Sequence, residues 1–181
     1  MKILDIRRHS MRQKPGQHLS QDGVELARRV GAHLGPYEAV LTSNLARAIE
    51  TAVAMGFALN DISEEIGLYP EALSEQLEWP ASLEKIDHRL SLFPEHQILA
   101  SKQVASWKSI LPKIPEKGCG LIITYGTLLE IGAIFLLREI GRPIEGPAFA
   151  YCEGLRVHVN GETVEAVEFM RLPEGQRMLS N

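Results

Sequence analysis

Only two cysteines occur in the 181 residues, Cys119 and Cys152, 33 positions apart. Neither stands in a C-x-x-C pair or at a metal-ligand spacing. That excludes a disulfide scaffold and predicts a reduced, cytoplasmic chain whose cysteines are small buried residues without a chemical role. An excess of basic residues is missing too. The formal net charge of -4 argues against bulk binding of nucleic acid or of an anionic membrane. No apolar run is clean enough to cross a bilayer, since the longest, Leu121 to Leu137, holds Glu130 and the pair Gly126-Thr127 and divides better into a strand and a helix. The opening Met1-Lys2-Ile3-Leu4-Asp5 meets an acid too soon to be a signal core. Repeats and low-complexity stretches are absent, and His18, His33 and His158 share no ligand spacing, so no metal and no other cofactor is implied.

What is present fits one globular domain over residues 1–181, with 45% apolar and 23% charged residues. Its most informative stretch is Ile3-Leu4-Asp5-Ile6-Arg7-Arg8-His9-Ser10-Met11-Arg12, an apolar run that breaks into arginines around one histidine. A strand ending in a loop is predicted there. Guanidiniums offer forked donors that match a tetrahedral anion better than lysines do. Beside that much positive charge an imidazole is pushed towards its neutral form, which alone has a lone pair able to attack phosphorus. The site therefore suits a small anionic partner, a phosphorylated substrate or free phosphate.

Further along, Ser20 is a predicted N-cap, with Leu19 and Val24 at hydrophobic-staple spacing and Val24, Ala27, Val30 and Leu34 as a buried face. Gly35-Pro36 ends that helix, and Ala39-Val40-Leu41-Thr42 reads as a second buried strand. Ser43-Asn44 are capping residues for a helix that buries Leu45, Ala48, Ile49, Ala52 and Val53 and turns Arg47, Glu50 and Thr51 to the other side. Arg47 then lies in the first turn, where free backbone amides already favour an anion. Gly120-Leu121-Ile122-Ile123-Thr124 reads as a central parallel strand, and Thr127 and Glu130 have capping-box spacing for the helix that Gly141 closes. Segments 148–158 and 164–169 read as two edge strands around the turn Asn160-Gly161, followed by a loose tail from Pro173.

Arg8-His9 after a first strand, Leu19-Ser20-Gln21-Asp22-Gly23 opening a helix, and Thr42-Ser43-Asn44-Leu45-Ala46-Arg47-Ala48-Ile49-Glu50-Thr51-Ala52 together resemble the histidine phosphatase superfamily, the phosphoglycerate mutase-like proteins. The resemblance implies a three-layer α/β/α sandwich with a mixed, mainly parallel sheet, the active loops lying at strand carboxyl ends. It implies a phosphatase that hydrolyses a small phosphate monoester through a phosphohistidine on His9. Arg8, Arg12, Arg47 and Ser10 would bind the phosphate. Glu75 would be the proton donor, with Glu71 the alternative should the loop differ by one residue. Relatives place a cover over the pocket where residues 77–116 stand, so Trp79, Asp87, His88 and Arg89 are possible substrate contacts. Packing is the simpler expectation for Trp79 and Trp107, and surface exposure for His88 and His96.

Two positions depart from the pattern. Tyr125-Gly126 stands where the superfamily has a second catalytic histidine before glycine, and Ser10 replaces the glycine after the nucleophile. Tyr125 is expected to face the phosphate and donate to it. The departures keep a second reading open, a catalytically weak or inactive phosphate-binding relative with a regulatory role. A phosphomutase would use the same phosphohistidine, but no residues point to a pocket that retains and reorients its product.

Overall fold

The structure is a computed structural model and describes residues 1–70, 76–77 and 79–179. Its sheet is built from β1 (Lys2–Arg8), β2 (Ala39–Ser43), β3 (Asp61–Ser63), β4 (Cys119–Thr124), β5 (Gly154–Asn160) and β6 (Thr163–Met170), in the spatial order β3-β2-β4-β1-β5-β6. The pairs β3/β2, β2/β4 and β4/β1 are parallel, whereas β1/β5 and β5/β6 are antiparallel. This is the mixed, mainly parallel sheet expected, with β1 and β4 at its centre and the hairpin at its edge.

Period-two alternation sends the side chains of the central strands into two cores. Leu4, Ile6, Leu41 and Ile122 face one, with Trp107, Leu129 and Ile134. Val40, Leu121 and Ile123 face the other, with Leu26, Ala27, Ala48 and Ala52. Helices α1 (Gln21–Gly31) and α2 (Ala46–Ala54) cover the second core; α3 (Leu83–Leu92), α4 (Pro94–Lys108) and α5 (Gly126–Glu139) cover the first. The result is a three-layer α/β/α sandwich of the phosphoglycerate mutase-like kind. Among the described residues no helix is long and apolar enough to cross a membrane.

Ser20 caps α1 as expected, its hydroxyl accepting from the Gly23 N–H at 3.1 Å. The buried stripe is set one position differently: Gly23, Leu26, Ala27, Val30 and Gly31 are buried, and Val24 only half so. Backbone proximity explains the shift. A Cβ on Gly23 would stand 2.0 Å from the Met11 carbonyl oxygen, so α1 lies directly on the loop that follows β1. In α2 the expected face also needs correction, because Val53 is 60% exposed while Thr51 is fully buried. The Thr51 hydroxyl accepts from the Ser10 N–H at 2.9 Å and donates to the Arg47 carbonyl at 2.6 Å, which satisfies its burial. Leu45, not Ser43 or Asn44, occupies the N-cap, and no side chain caps this helix.

The proposed capping box of α5 does not form. Tyr125 is the N-cap without a side-chain bond, and Glu130 turns inward to accept the Phe149 N–H at 2.8 Å. Residues 148–153 are likewise not strand. The amides of Phe149 and Ala150 go to the carboxylates of Glu130 and Glu153, and the carbonyls of Phe149 and Cys152 accept from the Arg8 and Arg7 guanidiniums, so side chains replace much of the ladder and β5 begins only at Gly154. The tail is anchored where a loose end was expected: Arg177 Nε donates to Glu153 at 2.7 Å, and the Tyr151 N–H donates to Met178 O at 3.0 Å. His96 is fully buried, not exposed, and Cys119 is only partly buried.

Candidate active site

Because Arg8 on β1 stands opposite Thr124 on β4, His9 and Tyr125 leave the sheet side by side at the carboxyl ends of parallel neighbours. The His9 N–H donates to Thr124 O at 2.8 Å and fixes that adjacency. Arg47 reaches the same point from the first turn of α2, which follows β2 on the other side of β4. A cavity of about 210 Å³ results, lined by Arg8, His9, Arg12, Lys14, Arg47, Trp79, Tyr125, Gly126, Thr127, Tyr151 and Leu179. A larger hollow, about 470 Å³ between Glu65, Leu68, Leu99 and Lys102, has neither histidine nor arginine among its described lining.

His9 is buried, and both ring nitrogens are engaged. Nδ1 lies 2.6 Å from Ser10 O and Nε2 accepts from Arg47 Nε at 3.1 Å. A carbonyl can only accept and a guanidinium only donate, so the proton sits on Nδ1 and the lone pair on Nε2. Burial holds the imidazole well below its ordinary pKa, and the charge of Arg8, with smaller contributions from Arg47 and Arg12, lowers it further. The ring is therefore a neutral base with its lone pair turned towards a cation-lined cavity.

The arginines divide their work differently from the sequence expectation. Arg7 turns away, donating to Cys152 O at 2.8 Å and to the Met170 sulfur. Arg8 lines the cavity, yet its terminal nitrogens donate to Phe149 O at 3.0 Å and Leu179 O at 2.9 Å. Its Cζ lies 4.3 Å from the centre of the Trp79 ring and 4.0 Å from that of the Tyr151 ring. Arg8 thus contributes field at close range instead of the free fork expected of it. Arg47 also bonds Gln17 through Nη1, and Arg12 donates to Gly16 O at 2.9 Å; both remain on the cavity wall.

Ser10 is not brought into the cavity. It is fully buried, and its hydroxyl donates to Gly23 O at 2.7 Å. Tyr125 does line the cavity, with the Arg47 guanidinium 5.9 Å from its ring centre. Burial and the neighbouring Tyr69 push its hydroxyl pKa up, which keeps it a neutral donor. Glu75 and Glu71 lie outside the described residues. Of the possible contacts in 77–116, Trp79 reaches the cavity, whereas Asp87 pairs with Arg138 at 2.7 Å and His88 and Arg89 line a separate hollow. Sequence reasoning missed Lys14, Tyr151 and Leu179. The first was legible as another cation two residues beyond Arg12, but the others lie in segments with no motif. Among the described residues, no group of three or more His, Cys, Asp or Glu side chains is arranged to hold a metal ion.

No protein-family model matches the chain, and no curated protein matches it in sequence. Solved structures do match in three dimensions. A phosphoserine phosphatase from Entamoeba histolytica, solved with 3-phosphoglyceric acid, is similar at a TM-score of 0.68 and 14% identity, over 95% of this chain and 98% of that one. A mycobacterial glucosyl-3-phosphoglycerate phosphatase is similar at a TM-score of 0.63 and 15% identity, over 93% and 97% of the two chains. YhfR of Bacillus stearothermophilus is similar at a TM-score of 0.59 and 19% identity, over 91% and 95%. At these identities the likeness is one of fold, and the fold is the phosphoglycerate mutase-like one.

Proposed function

We propose that this chain is a divergent histidine phosphatase that hydrolyses a small phosphate monoester through a phosphohistidine on His9. One observation carries the reading: the Nε2 lone pair of a neutral, buried His9 faces a cavity bordered by Arg8, Arg12, Arg47 and Lys14. In the proposed reaction Nε2 attacks phosphorus in line, the bond from phosphorus to the ester oxygen breaks, and Arg47 and Arg12 hold the oxygens on which charge accumulates. Glu75, or Glu71 in its place, supplies the proton to the leaving alcohol. Water then splits the phosphohistidine, giving phosphate and returning a proton to the carboxylate. Tyr125 donates to a phosphate oxygen where relatives hold an imidazole. We take residues 1–181 as one cytoplasmic domain, with 77–116 covering the pocket through Trp79.

A second reading is favoured by one feature, the commitment of both Arg8 terminal nitrogens to carbonyls. A phosphate-binding relative without turnover needs charge but no free fork. The two readings separate on hydrolysis of a generic aryl phosphate combined with trapping of an acid-labile phosphoprotein. Turnover and trapping, both abolished in His9→Ala, support the phosphatase. Phosphate binding without either supports the inactive relative, and turnover surviving in His9→Ala excludes the phosphohistidine.

A further inference from the structure

Glu130 is a carboxylate with no role in the chemistry just described, and its surroundings are unusual. It is fully buried in the first turns of α5, on the side that faces β1 and the loop after it. Oε1 accepts the Phe149 N–H at 2.8 Å, and the carbonyl of that same residue accepts from Arg8 Nη1 at 3.0 Å. One residue of main chain thus joins the carboxyl to the guanidinium. The Trp79 indole N–H faces the carboxyl closely enough to favour its anion, yet neither Nε1 nor Oε2 reaches a hydrogen bond among the described residues. Several buried polar atoms lack a bond among the described residues, but Oε2 belongs to a carboxyl that one residue of main chain joins to an arginine of the cavity. An uncharged residue of the same length would hold the Phe149 amide equally well.

We propose that Glu130 is a positioning residue for the oxyanion site: through Phe149 it holds Arg8 in place, and by gaining or losing a proton it sets how much of the Arg8 charge reaches a bound anion. This role presupposes that the cavity is an oxyanion site. Among the described residues, the charged groups facing Glu130 are Arg8 from β1 and Arg171 from the segment after β6. Burial raises the carboxyl pKa to about 7, Arg8 and the Phe149 amide opposing that rise. Below this value the carboxyl is neutral and leaves only Glu153, among the described residues, as a carboxylate acting on Arg8; above it the Glu130 carboxylate offsets Arg8 further and repels the anion. Anion binding and protonation of Glu130 therefore favour each other, and the coupling is reciprocal.

Sulfate is the probe, because it stays a dianion across the window, and Glu130→Gln distinguishes Glu130 from His9 as the group that takes up a proton. Calorimetric titration of the whole chain near pH 7, in buffers of different ionisation enthalpy, should reveal uptake of a fraction of a proton for each sulfate bound. Wild-type affinity should be roughly three- to tenfold tighter near pH 6 than near pH 8. In Glu130→Gln most of that difference should vanish, with affinity at both pH values close to the wild-type value at the lower one. A merely structural Glu130 would alter affinity without altering its dependence on pH. Sulfate binding without proton uptake in the wild type overturns the role of Glu130 and leaves the oxyanion site standing, and needs no variant to fold. An unchanged pH dependence in Glu130→Gln does the same. Failure of the wild type to bind sulfate at any pH overturns the oxyanion site, and this role with it.

Discussion

Arg47 Nε donates to His9 Nε2 at 3.1 Å, so the cation that would bind an oxyanion covers the lone pair that would attack it. Both functions meet in one hydrogen bond. In the proposed reaction an incoming phosphoryl group would have to take Arg47 from the imidazole before attack, and Gln17 on Nη1 would give the guanidinium a second anchor while it turns.

Arg47→Ala should weaken oxyanion binding by about 1.5 to 3 kcal/mol, the usual range for a bond to a charged group. Vanadate or sulfate titration measures it. Removing this neighbouring charge should also let the His9 pKa move up, since Arg47 is one of the groups holding it down. Unchanged affinity would place the anion elsewhere.

Tyr125→Phe keeps the ring beside Arg47 and removes the hydroxyl, so phosphate affinity should fall by about 1 to 3 kcal/mol. Tyr125→His should keep affinity and raise turnover of an aryl phosphate, because an imidazolium donor matches the transferring group better than a neutral hydroxyl. If Tyr125→Phe leaves affinity unchanged and Tyr125→His leaves turnover undetectable, Tyr125 is only a packed residue beside an inactive site.

Glu130 should leave a signature in stability. Its pKa is raised by burial from 4.5 to about 7, so the stability contributed by its neutral form is fully present below about 4.5 and lost as pH rises through about 7. Glu130→Gln remains neutral throughout. Its unfolding free energy relative to wild type should therefore climb between about pH 5 and pH 8, by as much as about 3 kcal/mol. Parallel curves in urea unfolding would show that the carboxyl titrates normally.

Gly126 offers a test of the aromatic clamp. A Cβ there would come within 2.7 Å of Trp79 Cζ2, so Gly126→Ala must displace the ring that stacks on Arg8. Destabilisation of about 1 to 3 kcal/mol is expected from such overpacking. Tryptophan emission should shift, and oxyanion affinity should drop as Arg8 loses one face of its clamp. Wild-type affinity in a destabilised Gly126→Ala would separate the clamp from binding.

Much of the frame is local and was legible in the sequence. The run that ends at Arg8, the Ser20 cap, the β-branched strand before Tyr125, the turn at Asn160-Gly161 and the glycine that closes α5 are each written in periodicity and capping chemistry over a few residues. The parallel order of those strands then brings His9, Arg47 and Tyr125 to one mouth. Less legible was the stripe of α1, because a glycine that lets backbones touch carries no hydrophobic signal.

The sequence by itself determined that His9, Arg47 and Tyr125 stand at or just beyond strand ends, since that follows from short-range spacing. Only the tertiary structure decided what each of them is free to do. Arg8 meets the carbonyls of Phe149 and Leu179 across 141 and 171 residues of chain, and those bonds turn an expected phosphate fork into a buried, stacked cation. Glu130 was spaced to cap its own helix, yet it serves an amide 19 residues away, because the fold brings the Phe149 N–H within its reach. Ser10, adjacent to His9 in the chain, bonds α1 instead of the cavity. A buried polar group must bond whatever the fold brings within reach, and that neighbour is chosen by the packing of distant segments, which no local pattern encodes.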